Sequence, residues 1–471
     1  MTDQPRVQAN LRLRAADGTP LATDVYLPAT DTPVPAVVTR TCYGRGAHLA
    51  EGLGWARHGF AYVVQDVRGR YDSGGTWCPY RGERSDGAAT AGWITGQPWS
   101  DGRLVPLGGS YAAYTAYALT LSTPDSVAAL VSQVPAMGPH RVKFDPGGVL
   151  RLAEHANWWL EHAEASTSRP GLLARHPDVL DRLPVSGLAE HFWPRLPGWW
   201  PAVRPWTVPG EPPPPEAVTD AELAAVAVPT LHVGGWHDLL VTETLHHWRT
   251  IPGATLRIGP WGHDLAPLGG VLVDWIRAAL TGQVRPDVVG LLGEDGWRTD
   301  PVWPEPVEWL SGGVRRFTHD PLRPFPSTVA GADRRALDAR DDAARYRGPA
   351  LARPLVLLGS PRVRLDAHTS AAGTDWIAKL VHRRADGGAV ELASGMVVAG
   401  PGRGEHTVEL SPAGVRLPAG SALELHVTSA DFPNLARNLG TGEDRYTGTA
   451  VAVAEQTVHS VAVELPILED A

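Results

Sequence analysis

The apolar positions change period several times along the chain, and each change marks an element. Residues 7–14 and 21–27 flank the turn Ala16-Asp17-Gly18-Thr19-Pro20, which predicts a β-hairpin. Unbroken apolar runs at 36–39 and 61–65 read as strands buried on both faces. Residues 83–95 read as a helix despite Gly87 and Gly92, 104–107 as a short strand, 111–121 as an Ala-rich helix and 127–134 as a further strand. Strands alternating with helices imply a parallel sheet covered on both faces. The pattern breaks over 140–225, where a helix-like piece at 149–165 precedes a Pro-rich stretch at 199–215, and an inserted cap is expected there. It resumes with a strand at 228–233, a helix at 242–250, a strand at 255–258 and a helix at 270–281. Beyond about residue 286 the pairs and triplets Val363/Leu365, Leu423/Leu425/Val427 and Val461/Val463/Leu465 alternate with polar residues between Gly and Pro. That is an all-β signature of the sandwich or jelly-roll kind.

Composition narrows the class. A chain of 471 residues exceeds one ordinary core, so two or three packed units are expected. Hydrophobic residues at 43% and charged residues at 20% describe a globular chain, not a disordered one. The net charge of -9 and the lack of a basic stripe argue against a nucleic-acid binder. Lys143 and Lys379 are the only lysines, a bias we assign to a GC-rich genome. Cys42 and Cys78 cannot build a disulfide framework. No run of about 18 apolar residues and no apolar leader in residues 1–13 are present, so neither a membrane span nor a signal peptide is expected, and the expected compartment is the cytoplasm. Of the 18 tryptophans, some cluster at 158–159, at 199–200 and at 236, 248 and 261. Core packing is the commoner role for Trp. Trp158, Trp159, Trp236 and Trp261 are nonetheless candidate substrate contacts, because they flank the residues that follow.

The strongest local signal is Leu104-Val-Pro-Leu-Gly-Gly-Ser110-Tyr-Ala-Ala. A strand running into Gly-x-Ser and then a helix is the setting of a nucleophile elbow, although Ala112 stands where the second glycine of Gly-x-Ser-x-Gly is usual. At the helix start the N–H groups and the dipole favour an oxyanion. The motif alone supports a nucleophile and a plain helix N-cap about equally. A serine nucleophile needs a base, and the base an orienting acid, in the chain order Ser, Asp, His. Asp238 in Gly234-Gly-Trp-His-Asp238 and His263 in Gly259-Pro-Trp-Gly-His263 each follow a predicted strand, where open α/β sheets carry their sites. Three residues in order at three strand ends favour the triad Ser110, Asp238 and His263. Elsewhere, the adjacent His246 and His247 point apart on a helix, and no cluster has metal-ligand spacing. The glycines around 52–54 lack a phosphate-binding pattern.

These segments resemble the cocaine esterase and X-Pro dipeptidyl-peptidase family of serine hydrolases, which also holds α-amino acid ester hydrolases and cephalosporin acylases. The likeness is carried by Gln65-Asp66-Val-Arg68-Gly-Arg70-Tyr-Asp-Ser73, by Gln97-Pro-Trp99 leading to Gly108-Gly-Ser110-Tyr111, by the two loops holding Asp238 and His263, and by the β-rich segments 374–380 and 429–438. The resemblance implies a hydrolase domain with an inserted helical cap and a C-terminal jelly roll. It also implies an oxyanion hole made by the Tyr43 hydroxyl and the Tyr111 backbone N–H; a surface-loop tyrosine is the plainer reading of Tyr43. The chain departs from the family at Ala113 and at Tyr71, where glycine is usual, and its cap is short. Glu154, Glu161 and Glu164 fall roughly on one face of a cap helix and could meet a substrate amine, though helix glutamates are usually solvated.

The expected architecture is α/β: an α/β-hydrolase catalytic domain over 1–139 and 226–285, a helical cap over 140–225 and a β-sandwich of jelly-roll type over 286–471. The expected activity is cleavage of an ester or amide acyl bond through an acyl-enzyme, with no cofactor and no metal. The expected partner is a small-molecule ester or amide, with no nucleic acid and no membrane, and a homo-oligomer is left open. Two alternatives stand beside it: an acyltransferase or thioesterase-like enzyme of a biosynthetic pathway using the same acyl-enzyme, and a catalytically dead binding protein using the jelly roll.

Overall fold

The computed structural model describes residues 4–163, 165–171, 173–191, 217–283 and 285–469. The chain divides into two units, one formed by Met1–Val142, Trp158–Gly171 and Pro212–Val289, the other by Lys143–Asn157, Leu172–Glu211 and Gly290–Ala471.

The first unit is built on one sheet with strands β1 (Arg6–Arg14), β2 (Pro20–Leu27), β3 (Val34–Thr41), β4 (Ala61–Asp66), β5 (Ser100–Gly109), β6 (Leu130–Gln133), β7 (Thr230–Gly235), β8 (Thr255–Gly259) and β9 (Val288–Val289). Their order is β1-β2-β4-β3-β5-β6-β7-β8-β9. The expected hairpin β1–β2 pairs antiparallel, with Arg14 opposite Pro20. β2 joins β4 antiparallel, and from β4 through β3 to β9 every pairing is parallel.

The unbroken apolar runs are explained by cover on both sides. Val37, Tyr62 and Val64 face one core with Trp55 and Ala56 of helix α1 (Leu49–Arg57) and Leu272, Val273 and Ile276 of helix Gly269–Leu280. Ala36, Val38, Ala61 and Val63 face another with Ala91 and Ile94 of α2 (Glu83–Thr95) and Leu119 of α3 (Tyr111–Ser122). Helix α1 was not expected, because Gly52 and Gly54 obscure its period. A Cβ on Gly52 would stand 2.4 Å from the Tyr26 ring, so glycine is what lets α1 approach β2.

The second unit contains two antiparallel sheets. One holds Pro306–Gly312, Arg315–His319, Leu355–Gly359, Arg362–Thr369, Gly402–Glu409, Ala413–Leu417 and Ala454–Leu468, and the other Ala344–Arg347, Thr374–Arg383, Ala389–Ala399 and Ala422–Thr428. The alternating residues Val363, Leu365, Leu423, Leu425, Val427, Val461, Val463 and Leu465 all point into their shared core, as a sandwich requires.

The stretch expected as a cap divides between the two units. Ala153 N–H donates to Pro433 O at 3.0 Å and Ala436 N–H to Leu150 O at 2.8 Å, which ties residues around 150 into the β-rich unit. Tyr71 N–H donates to Ser166 O at 2.6 Å, which ties the next stretch into the sheet unit. The helix expected at 149–165 is an α-helix over Leu152–Trp158 continued by a π-helical turn over Trp159–Ala163. The Pro-rich stretch 199–215, and Trp199 and Trp200 with it, lies outside the described residues. Among the described residues no helix is long and apolar enough to cross a membrane. Cys42 is buried and free, Cys78 exposed and free.

His232 on β7 is fully buried, and burial, with the neighbouring His247 second, holds its imidazole well below the ordinary value of 6.5. The folded protein therefore keeps it neutral while the unfolded chain takes up a proton, so stability is full above about pH 6.5 and is lost as the pH falls below it. Thermal melts should show Tm steady above about pH 7 and declining below about 6.5. His232→Gln should decline less steeply; an identical slope would remove His232 as a cause.

Candidate active site

β5 ends at Gly109 and α3 begins at Tyr111, leaving Ser110 alone on the turn with φ 57° and ψ −122°. A non-glycine residue in that region is strained by about 1–3 kcal/mol and is held there only by its surroundings. Ser110 N–H donates to Gln133 O of β6 at 3.0 Å, and Ser110 O accepts from Ala113 N–H at 3.1 Å and Ala136 N–H at 3.2 Å. Gly108 permits the turn, since a Cβ there would lie 2.1 Å from Ala112 O. The buried Ala113 fits where glycine was expected from the family. The Ser110 side chain makes no helix-capping bond. Its Oγ lies 3.2 Å from the Tyr43 hydroxyl.

Tyr43 follows β3, the strand beside β5. Its hydroxyl meets Ser110 Oγ, the Tyr111 backbone N–H and the Trp158 indole, whose Nε1 donates to it at 3.4 Å. Burial, and then the adjacent Cys42, raise its pKa, so the hydroxyl keeps its proton and remains a donor. The Tyr111 side chain turns away from this point. Its hydroxyl donates to Glu83 of α2 at 2.8 Å and accepts from Tyr80 N–H at 2.9 Å, which anchors the start of α3 and leaves the N–H at the site.

Asp238 and His263 stand just past β7 and β8. Since β5, β6, β7 and β8 are consecutive parallel neighbours, all three loops emerge at the carboxyl ends of the strands. His263 Nδ1 lies 2.9 Å from Asp238 Oδ1; the carboxylate is buried and the imidazole 39% exposed. This bond fixes the ring and its tautomer, with Nδ1–H toward the carboxylate. Two glycines make the loops compatible: a Cβ on Gly235 would stand 2.2 Å from Trp261 O, and one on Gly259 2.8 Å from the Trp261 ring.

The four tryptophans part company. Trp158 contacts Tyr43 and stacks on Tyr111 with ring centroids 6.2 Å apart. Trp261 packs on β8 and the core beneath it, while Trp236 and Trp159 are buried. A cavity of about 480 Å³ opens beside Tyr43; Asp24, Arg45, Asp66, Tyr71 and Asp72 line it, and none of the four tryptophans does. Glu161 accepts from Gly171 N–H at 2.6 Å, and Glu164 lies outside the described residues. His246 and His247 diverge, the first to Asp220 at 2.9 Å and the second to Glu243 at 2.9 Å. Tyr71 adopts the glycine-like φ of 47° that its position asks for, and its hydroxyl donates to Ser168 at 2.9 Å. Sequence reasoning did not single out the contacts that Arg70, Tyr71 and His162 make around Tyr43; Arg70 reaches His162 across 92 positions and Tyr71 reaches Ser168 across 97, and such contacts carry no local signal.

A parallel sheet with a serine on a strand-to-helix turn and an Asp–His pair at two later strand ends defines the class: the chain is a serine hydrolase of the α/β-hydrolase fold. The model of the X-Pro dipeptidyl-peptidase (S15) family matches residues 17–264, and that of the X-Pro dipeptidyl-peptidase C-terminal non-catalytic domain matches residues 281–463, so the chain belongs to the S15 family. It is 26% identical over 549 aligned positions to the cocaine esterase of Rhodococcus sp. (strain MB1 Bresler), covering 93% of each. Among solved structures it is similar to an α-amino acid ester hydrolase, with TM-score 0.86, 18% identity and 99% and 98% of the two chains covered. An aminopeptidase from a marine sediment archaeon, Thaumarchaeota archaeon, superposes with TM-score 0.81 at 20% identity over 99% and 97%. These two likenesses establish the shared fold, an α/β-hydrolase part followed by an all-β part.

Proposed function

We propose that the chain cleaves an ester or amide acyl bond of a small molecule through an acyl-enzyme on Ser110. His263 takes the proton from Ser110 Oγ as the oxygen attacks the acyl carbonyl, and passes it to the departing alcohol or amine. Asp238 orients the imidazole and stabilises the imidazolium. The Tyr43 hydroxyl and the Tyr111 N–H receive the developing oxyanion. Water, activated by the same His263, then releases the acid and restores Ser110. Residues 1–139 and 226–285 form the catalytic domain in this reading, 140–225 contribute the cap, and 286–471 form the accompanying β-sandwich.

The observation that carries the proposal is the 3.2 Å approach of the Tyr43 hydroxyl to Ser110 Oγ on a strained turn. A hydroxyl donor is held there in advance, where an oxygen bonded through the attacked carbon will appear. The relatives are named as a cocaine esterase, an α-amino acid ester hydrolase and an aminopeptidase, so acyl esters and amides are the first classes to test. A fluorophosphonate should attach covalently to the native protein, and peptide mass mapping should locate the adduct on Ser110. An adduct confined to other serines would end the assignment.

A further inference from the structure

A buried guanidinium is costly unless a carboxylate faces it or its N–H groups are all satisfied. Arg70 is fully buried, and among the described residues no carboxylate pairs with it. Backbone carbonyls take that place. Its Nε donates to Cys42 O at 2.9 Å, and one terminal nitrogen donates to His162 O at 2.8 Å and to Ala165 O. The other terminal nitrogen reaches Ser168 Oγ at 3.2 Å, and the guanidinium carbon lies 4.4 Å from the centre of the Trp77 ring.

Two of these partners adjoin the same residue. Cys42 precedes Tyr43 in the chain, and His162 packs edge-on against the Tyr43 ring with centroids 5.1 Å apart. One rigid fork therefore grips the backbone behind Tyr43 and the backbone of the ring that abuts it. A lysine cannot reproduce this, because its compact ammonium lacks the planar fork.

We propose that Arg70 is a positioning residue for the oxyanion hole: by tying the Cys42 and His162 carbonyls together, it fixes where the Tyr43 hydroxyl stands. The inference rests on the reading of Tyr43 as an oxyanion donor. Displacement of a catalytic group by about 1 Å can cost about 100-fold in rate, so the effect falls on turnover and not on substrate binding.

The test is a set of double-mutant cycles on one aryl ester. Arg70→Met, Arg70→Lys and the milder Ser168→Ala are each made alone and in a Tyr43→Phe background, with thermal melts to establish folding. Arg70→Met and Arg70→Lys should lower kcat by about 10–100-fold and Ser168→Ala by about threefold, with KM within about twofold. In the Tyr43→Phe background each should cost less than about twofold more, because the hydroxyl it serves is already gone. Equal fold-losses in both backgrounds would show a merely structural residue and overturn the inference, as would unchanged kcat in a folded Arg70→Met. Should the Arg70 variants fail to fold, the Ser168→Ala cycle decides on the same criterion. If Tyr43→Phe alone leaves kcat intact, the reading of Tyr43 fails and the inference fails with it. If Tyr43→Phe is impaired while the Arg70 and Ser168 variants are not, the inference alone fails.

Discussion

Ser110→Ala should lower kcat on an activated ester by about 10⁵–10⁶-fold and abolish fluorophosphonate labelling. Nothing else at the turn can replace the lost oxygen, since the neighbouring positions are Gly109 and Tyr111, whose hydroxyl is committed to Glu83. The fold should persist. The serine side chain caps no helix, and its one described bond is to the Tyr43 hydroxyl, so a loss of about 1 kcal/mol is expected, read as a Tm shift of a few degrees at most. Turnover near the wild-type level in a purified, folded variant would sink the assignment of the nucleophile.

Tyr43→Phe should produce the second largest effect, a fall of about 10²–10³-fold in kcat with KM nearly unchanged. The ring and its edge contact with His162 remain, and only the donor is removed. The interaction exists chiefly once charge appears on the oxygen, so kcat and kcat/KM should fall together. A rise in KM at constant kcat would instead make Tyr43 a ground-state substrate contact. Wild-type behaviour would return it to the plain loop tyrosine that its sequence context also allows.

The candidate site was legible wherever chemistry is written in short segments at strand ends. Strand, Gly-x-Ser and helix are contiguous, and Asp238 and His263 each follow an apolar run, so their order along the chain maps directly onto neighbouring parallel strands. The cores were legible for a similar reason: burial on both faces leaves β3 and β4 with no polar alternation, and burial on one face leaves Val363/Leu365 and Val461/Val463 with a clean one. What escaped depends on distance. The bond from Trp158 to Tyr43 spans 115 positions, and that from Arg70 to His162 spans 92. Neither leaves a trace in local periodicity, so neither the contact of Trp158 with Tyr43 nor that of Arg70 with His162 is legible in the sequence. The division of the expected cap follows from hydrogen bonds to residues nearly 300 positions away, such as Leu150 N–H to the Tyr446 hydroxyl. Helix α1 was hidden because Gly52 answers to the Tyr26 ring and not to helical propensity.

The backbone at position 110 sets durability against function. Glycine would relieve about 1–3 kcal/mol of strain at φ 57° and lose only about 0.5–1 kcal/mol to the extra freedom of the unfolded chain. Mutational drift toward a hardier protein therefore has an open route at this codon, and, with Ser110 as the proposed nucleophile, it is expected to end in a well-folded chain that turns nothing over. Any programme that raises the stability of this protein by screening for heat resistance alone is exposed to the same trap, and must hold position 110 fixed or select on turnover in parallel.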